Sequence, residues 1–286
     1  FLLLLILGVS FFASCSDDDK DPFKNYSADY SGDKLALKLN GKEFSGTSVS
    51  FNSENKKNAT LTLNKLIPGE PALEVKNLIV EELAGDDYTF AGENKNDDRI
   101  VLVEGAVKSG VLSLNTSFKV ISKVVGEWML AKPEMDDSYN MVSSCIHLEI
   151  VTDVDSIAFP IWGKLPINPN PEIEGDLGLT TLLQTLGGGI LPGLLKKMNL
   201  KEDGNLIASY HQITGIQDLF QPDATPLVDS EEGLVRYNVK DGQIYILVDI
   251  ESLLGRSTEN NPTSMLMTML ETGIPLKVQL DGEKMR

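Results

Sequence analysis

Short runs of alternating apolar and polar residues, separated by turn dipeptides, dominate the sequence from Leu35 to Ile121. Leu35, Leu37 and Leu39 alternate with polar residues, and the dipeptide Asn40-Gly41, which favours two-residue hairpin turns, comes next. Successive side chains on a strand point to opposite faces, so each such run predicts a strand with one buried face. The same pattern predicts further strands at 49–51, 60–63, 73–80, 87–91, 100–107 and 111–121.

A second region begins near Val125 and contains further strand patterns. Its predicted strands are at 126–131, 144–152, 156–162, 205–213 and in a hairpin over 234–250 that turns at Asp241-Gly242. We also expect the strand before Asp281-Gly282 to lack a partner, because only four residues follow that turn.

Helical periodicity interrupts this second region in two places. Leu179, Leu182, Leu183 and Leu186 share one helix face, so we expect a helix that ends at the glycines 187–189 and a second one from Pro192 to Asn199. A last helix is expected from Asn261-Pro262, which supply a cap and a proline at the first helical position, to Gly273. The fold class is therefore mainly β with a few inserted helices, arranged as an antiparallel meander, sandwich or half-barrel.

The first residues have the character of a signal peptide. Residues 1–14 are uncharged and mostly apolar, the length of a signal-peptide apolar region and too short for a spanning helix of about 20 residues. We expect this segment to be truncated, because neither a methionine nor a basic stretch precedes it. The predicted organisation is a signal peptide at 1–14, an acidic linker at 15–30, an antiparallel β region at 31–124 and a second β region with helices at 125–286 that is truncated at its end.

Charge and cysteine content exclude several classes of protein. The net charge is −17, and the pairs Lys56-Lys57 and Lys196-Lys197 are isolated, so the sequence lacks the basic patch of a nucleic-acid-binding protein. Cys15 and Cys145 are the only cysteines. With Cys15 in the N-terminal segment, we expect a fold held by packing rather than by disulfides.

Candidate catalytic residues are few. Cys145 and His147 would share one face of a strand, but a nucleophile also needs an orienting third group and an oxyanion site, which the sequence does not supply. With His147 and His211 as the only histidines, a zinc site would depend on carboxylates, and the paired acids lie in predicted turns. We therefore predict no catalytic, metal or cofactor site, and no enzyme.

Aromatic and methionine side chains are the remaining candidates for a ligand pocket. Trp128, Trp162, Tyr210 and Tyr237 lie on predicted strands, and Met265 and Met269 lie on the last predicted helix. Such residues line adaptable apolar pockets, although aromatics at alternating strand positions also form cores. Both interpretations stay open at this point.

Residues 12–19 resemble a lipoprotein export signal. Phe12-Ala13-Ser14-Cys15 is similar to a bacterial lipobox, which implies cleavage before Cys15 and diacylglycerol on its sulfur. Two or three acyl chains anchor a protein stably in a membrane. Ser16-Asp17-Asp18-Asp19 resembles the acidic tag of surface lipoproteins in Bacteroides-type bacteria, and an acidic run beside anionic headgroups acts as a solvated linker.

The body of the chain resembles calycin-like β-proteins. Tyr30, Gly32, Asn40-Gly41 and the strands to Val120 are similar to lipid-anchored β-proteins of gut Bacteroidetes. Gly126-Glu127-Trp128 resembles the G-x-W element that opens a lipocalin barrel, where the tryptophan closes the base, although Val124 stands where lipocalins often carry Phe or Tyr. The whole chain resembles an uncharacterised family of Bacteroides lipoproteins, which implies a lipocalin-like barrel or half-barrels.

These resemblances lead to three functional expectations. The first is a non-enzymatic lipoprotein of the outer membrane, surface-exposed or alternatively on the periplasmic face, that binds a small apolar ligand, a glycan or an envelope partner. The second is a protein–protein interaction scaffold without a small ligand, and the third is an unrecognised hydrolase. A dry cavity would favour binding of a small apolar ligand, and an exposed apolar patch would favour a scaffold. A cleft with converging catalytic groups would favour a hydrolase.

Overall fold

A computed structural model describes residues 24–53, 55, 58–131, 134–137, 141–143, 155–159, 163–168, 178–212, 214, 218, 222–249, 274–277, 280–281 and 284–285. The protein is mainly β, and its largest element is a curled, half-barrel sheet. The strands of that sheet are β1 (Ala28–Ser31), β2 (Leu35–Leu39), β3 (Lys42–Phe44), β4 (Ser48–Ser53), β5 (Ala59–Ile67), β6 (Glu70–Glu82), β7 (Tyr88–Lys95), β8 (Arg99–Lys108) and β9 (Val111–Val120).

The nine strands follow the order β1-β4-β5-β6-β7-β8-β9-β2-β3. Their alternating pattern predicted most of this sheet, and the turns at Asn40-Gly41 and Ser109-Gly110 have the positive φ angles of tight hairpins. One pairing differs from the predicted all-antiparallel meander. Strand β2 pairs with β9 in parallel, with Leu35 opposite Leu112 and Leu39 opposite Thr116. Sequence alternation gives no information about the direction of a distant partner, so this pairing was not predictable.

The curl of the sheet begins in the long strand β6. Its first part pairs with β5, and Ile79 to Glu82 pair with β7. An extra residue is accommodated near Asn77, whose φ of 57° is tolerated by asparagine. Bulges of this kind bend a strand and increase its twist, which turns the sheet around its own core.

The concave face of the sheet carries the core. On β9 every second side chain from Leu112 to Val120 is buried, while the intervening ones are exposed. Tyr26, Phe51, Tyr88 and Phe90 pack their rings together, with the Phe51 and Phe90 centroids 4.8 Å apart. Each fully buried apolar side chain of this size contributes about 1.5–3 kcal/mol, so the alternating rows stabilise the half-barrel.

The C-terminal region forms smaller sheets. A four-stranded sheet has the order β10-β15-β16-β17, β18 and β19 pair with β20, and β11–β12, β13–β14 and β21–β22 are two-stranded. The strands are β10 (Gly126–Trp128), β11 (Glu134–Met135), β12 (Met141–Ser143), β13 (Ser156–Phe159), β14 (Gly163–Pro166), β15 (Leu195–Leu200), β16 (Leu206–His211), β17 (Leu227–Asp229), β18 (Val235–Lys240), β19 (Gln243–Val248), β20 (Ile274–Lys277), β21 (Leu280–Asp281) and β22 (Lys284–Met285).

The helical segment differs from its prediction in two ways. Helix α1 (Leu179–Gln184) continues without a break through a π-helical turn over Thr185–Ile190, which contains the three glycines, into α2 (Leu191–Leu194). The predicted second helix from Pro192 to Asn199 is wrong beyond Leu194, because Leu195–Leu200 is strand β15. Pairing with β10 and β16 provides backbone partners that override the local helical spacing.

Two predicted boundaries also shift. Strand β1 pairs with β4 from Ala28 onward and Tyr26 is buried, so the last residues of the predicted linker 15–30 belong to the folded β region. At the other end, β21 has a partner, since Asp281 pairs with Lys284 in β22. The predicted strand 144–152 and helix 262–272 lie outside the described residues. No helix within the described ranges combines the length and apolar character needed to cross a bilayer.

The two regions share one hydrophobic core. Leu200, Leu206, Tyr237, Val239 and Ile244 from the C-terminal region belong to the same buried cluster as the concave face of the large sheet. The two regions approach each other closely at Gly204, whose φ is 82° and where an added Cβ would lie 2.5 Å from the Phe118 ring. Only glycine fits this contact, so the loop before β16 lies directly on the ring.

Polar contacts fix the β18–β19 hairpin on the turn between β5 and β6. Asn238 Nδ2 donates to the Pro68 carbonyl oxygen at 3.0 Å and to Glu70 Oε1 at 3.1 Å. Glu70 also accepts two hydrogen bonds from Arg99, each 2.7 Å long. Arg236 Nη1 donates to the Leu66 carbonyl at 2.9 Å, its guanidinium lies 4.6 Å from the Phe44 ring centroid, and burial lowers its pKa to about 10. We refer to Glu70, Arg99 and Asn238 as the polar clasp.

Candidate functional site

Trp128 packs against the core rather than lining an open surface. Its backbone follows Gly126, whose φ of 142° favours glycine, and its indole Nε1 donates to the Val124 carbonyl at 2.7 Å. The ring is partly buried against the shared core, and Trp128 pairs with Met198 across β10 and β15. These contacts explain the spacing of the Gly126-Glu127-Trp128 element, since the glycine turns the chain so that the ring covers the core.

Tyr237 and Tyr210 have opposite environments. Tyr237 is fully buried, its hydroxyl donates to the Lys201 carbonyl at 2.9 Å, and burial raises the pKa of its phenol. Tyr210 lies on β16 opposite Leu195 and Val228 and remains 37% exposed. Trp128 and Tyr210 share one face of the four-stranded sheet, whereas Tyr237 belongs to the other sheet. Trp162, Met265, Met269, Cys15, Cys145 and His147 lie outside the described residues.

The concave side of the half-barrel is filled by the protein itself. Tyr237, Val239 and Ile244 of the β18–β19 hairpin join the buried cluster that also contains Leu112 and Leu114 of β9. The Tyr30 and Tyr88 hydroxyls lie 2.9 Å apart inside this cluster, and burial raises the pKa of Tyr88. The side chains that the structure describes therefore occupy the space in which a barrel of this kind would hold a ligand.

A shallow cleft, lined mostly by residues with polar side chains, lies where β4 begins, β5 ends and β6 begins. It has a volume of about 510 Å³ and is lined by Gly46, Thr47, Ser48, Asn64, Lys65 and Pro71. These residues come from the loop before β4, the end of β5 and the start of β6. The volume falls within the range of about 300–1,000 Å³ that is usual for small-molecule sites.

Hydrogen bonds fix the geometry of this cleft. Thr47 Oγ1 donates to the Asn64 carbonyl, and Asn64 Nδ2 donates to Ser48 Oγ at 3.1 Å. Strand β5 is irregular between Asn64 and Ile67, and Lys65 has a φ of 51°, which is uncommon for lysine. An irregularity of this kind redirects a side chain, and here it places Lys65 at the cleft.

A polar cluster on β16 was not predicted from the sequence. His211 and Ser209 are buried on one face of the strand, and His211 Nδ1 lies 2.9 Å from the Thr225 carbonyl. His211 Nε2 lies 3.4 Å from Asp223 Oδ1 without forming a hydrogen bond. Ser209 and His211 are two residues apart in a predicted strand, and this spacing was the only sequence signal for the cluster.

The cluster lacks the relay of a nucleophilic enzyme. Ser209 Oγ donates to the Asp229 carboxylate, so its proton is directed to an acid rather than to His211. A serine nucleophile needs a base within hydrogen-bonding reach that is itself oriented by a third group. Among the residues with described positions, no group of three or more His, Cys, Asp or Glu side chains could hold a metal ion.

Comparisons with known proteins give no relative for this chain. No protein-family model, curated protein or solved structure matches it significantly. The class of protein that its fold defines is therefore a mainly β protein with a half-barrel sheet, a packed interior and a polar surface cleft.

Proposed function

We propose that this chain is a non-enzymatic lipoprotein of a bacterial outer membrane, anchored through Cys15 and exposed at the cell surface. The lipobox-like residues Phe12 to Cys15 and the acidic run that follows support the anchor. The body is a binding module for a polar ligand, and a glycan is the ligand class that suits it best.

The polar cleft beside a packed interior carries this proposal. Thr47, Ser48, Asn64 and Lys65 line the cleft and carry hydroxyl, amide and ammonium groups, which suit the hydroxyl groups of a sugar. A small apolar ligand has less support, because Tyr237, Val239 and Ile244 fill the concave side of the half-barrel. The cleft is open and shallow enough for part of a longer chain to lie across it.

A second candidate is a scaffold that binds an envelope protein. Strands β1 and β3 form the two edges of the nine-stranded sheet, and each has one paired neighbour. An extended segment of another protein adds to such an edge through backbone hydrogen bonds. The short length of β3 and the lysine at its start, Lys42, disfavour this use of that edge.

Metabolic labelling with a clickable palmitate tests the anchor. Labelling should require Cys15 and should be lost in Cys15→Ser, with Cys145→Ser as the matched control that keeps it. Absence of label on the unaltered chain in its native host would contradict a lipid anchor.

A glycan array tests the ligand class. Lys65→Asn removes the ammonium group but keeps a residue that tolerates positive φ, so it should weaken binding at least several-fold without unfolding the protein. Lys108→Asn, at an exposed position at the other end of the half-barrel, is the matched control and should bind normally. Equal loss in both variants, or no glycan binding at all, would contradict the proposal.

A further inference from the structure

We infer that one end of the half-barrel faces the membrane. The polar cleft lies at the opposite end and faces away from the lipid surface. This inference rests on the proposed anchor at Cys15. We call the turns Leu83–Asp87 and Ser109-Gly110 the tether end. The far end comprises the turn Pro68-Gly69 and the loop 96–98.

Three contacts attach the incoming chain to the tether end. Lys24 Nζ pairs with the Asp86 carboxylate in the turn after β6. The Tyr26 amide donates to Ser53 Oγ at 2.9 Å, and its hydroxyl donates to Glu82 Oε1 at 3.3 Å. Tyr26 is also buried against Tyr88, with ring centroids 4.5 Å apart, so the chain is anchored to the body at this point.

The strand directions place the cleft at the opposite end. Strand β4 starts at Ser48, in the cleft, and ends at Ser53, beside Tyr26. Strand β6 starts next to the cleft at Glu70 and ends at Glu82 near the tether. The six residues of β4, which connect the cleft to Tyr26, span about 17 Å at the usual rise per residue of a strand.

The linker is short enough to keep the tether end close to the lipid. Eight residues, 16–23, separate Cys15 from Lys24, and they can span at most about 30 Å when fully extended. Lys24 therefore stays within that distance of the lipid, while the cleft lies one β4 length from the point where the linker joins the body. A ligand in the medium therefore reaches the cleft without first contacting the lipid surface, and the C-terminal region lies at the same end of the half-barrel.

Negative charge at the tether end opposes its direct contact with the bilayer surface. Glu81, Glu82, Asp86 and Asp87 are concentrated around the turn after β6, and the linker adds Asp17 to Asp19. Carboxylates are repelled by anionic headgroups within about one Debye length, roughly 8 Å at physiological ionic strength. The tether end therefore faces the lipid because the linker joins the body there, and its carboxylates oppose insertion into the bilayer.

Fluorescence quenching in vesicles tests this orientation. Lipid-modified protein carrying Cys145→Ser is purified from host membranes and inserted into phosphatidylethanolamine–phosphatidylglycerol vesicles that contain a headgroup nitroxide lipid. One label is placed at Ala84→Cys at the tether end and another at Asp97→Cys at the far end, both at exposed positions. These labels are about 30 Å apart, because β7 and β8 connect the two ends.

We expect the nitroxide to quench the label at position 84 several-fold more than the label at position 97. Equal quenching, or stronger quenching at position 97, with Cys15 lipidated would overturn the orientation and leave the anchor intact. Protein that carries no lipid on Cys15 and stays off the vesicles would overturn the proposed anchor itself, together with the orientation. Soluble nitroxide should quench both labels equally, which verifies that their exposure is matched.

Discussion

The nine-stranded sheet and the β18–β19 hairpin are stabilised in different ways. The sheet buries alternating apolar rows, such as those on β9, and its strands are joined mostly by local hairpins. The hairpin contributes Tyr237, Val239 and Ile244 to the same core, but its position is fixed by hydrogen bonds to Pro68 and Glu70. Apolar rows tolerate small adjustments, whereas buried polar groups require particular partners. The polar clasp therefore specifies one arrangement of the hairpin, which closes the half-barrel.

The largest expected effect comes from removing one charge of the clasp. Glu70→Leu should destabilise the protein by about 3–5 kcal/mol, because the buried Arg99 guanidinium loses its carboxylate partner. Urea denaturation followed by circular dichroism measures this loss.

The matched control removes both charges. Glu70→Leu combined with Arg99→Met should be considerably more stable than Glu70→Leu alone, because no unpaired charge remains. Hydrogen exchange in β18 should nevertheless be faster in the double variant, since Asn238 has lost one of its two acceptors. If the double variant lost as much stability as Glu70→Leu and Arg99→Met lose separately and in sum, the two residues would not act as a pair.

A methyl group at the contact between the two regions should have the next largest effect. Gly204→Ala should cost about 3 kcal/mol, because it combines positive φ with a collision against the Phe118 ring. Gly110→Ala has a similar φ of 77° but open space around its Cβ, so it should cost only about 1 kcal/mol. Thermal unfolding of the two variants measures the difference, and equal losses would show that the ring does not constrain the loop.

Alkaline pH should destabilise both regions through buried phenols. Burial raises the pKa of Tyr88 in the sheet and of Tyr237 in the hairpin above their ordinary value of 10.0. The unfolded state therefore loses these protons first, so the stabilisation is complete below pH 10 and decreases as the pH rises above it.

Above about pH 10, each buried phenol should lower the free energy of unfolding by up to about 1.4 kcal/mol per pH unit. Tyr88→Phe and Tyr237→Phe should each reduce the slope of unfolding free energy against pH by one such increment. A slope that none of the variants alters would contradict the burial of these hydroxyls.

The smallest expected effect is a stabilisation within the sheet. Thr116 is buried, and its hydroxyl has no hydrogen-bond partner among the described residues. Thr116→Val replaces this hydroxyl by a methyl group of similar shape and should increase stability by about 1 kcal/mol. Thr62→Val, at a half-buried position of β5, should change stability by less than about 0.5 kcal/mol. A loss of stability in Thr116→Val would indicate that the hydroxyl has a partner in solution.

The alternating pattern predicted the large sheet because burial on one face leaves a local signature. Leu112, Leu114 and Phe118 alternate with polar residues, and Asn40-Gly41 and Asp241-Gly242 form the hairpin turns that their sequences favour. Strand β15 was predicted as helix, because its identity depends on partners in β10 and β16 that local spacing does not encode.

The candidate site was less accessible to prediction than the fold. Predicted pocket residues were aromatic and apolar, and two of the described ones, Trp128 and Tyr237, pack into the core. The cleft depends on the irregular geometry at Lys65 and on the approach of Thr47 to Asn64, and neither leaves a motif. The clasp depends on contacts between residues that are distant in sequence, Glu70 and Asn238, whereas the cleft depends on contacts between the neighbouring strands β4 and β5.

Native mass spectrometry of protein extracted from its host membrane tests most directly whether the half-barrel is closed by its own hairpin. We predict that the native and denatured masses agree once detergent is removed, because Tyr237 and its neighbours occupy the interior. A stoichiometric apolar molecule that is present in the native spectrum and lost on denaturation would contradict this account.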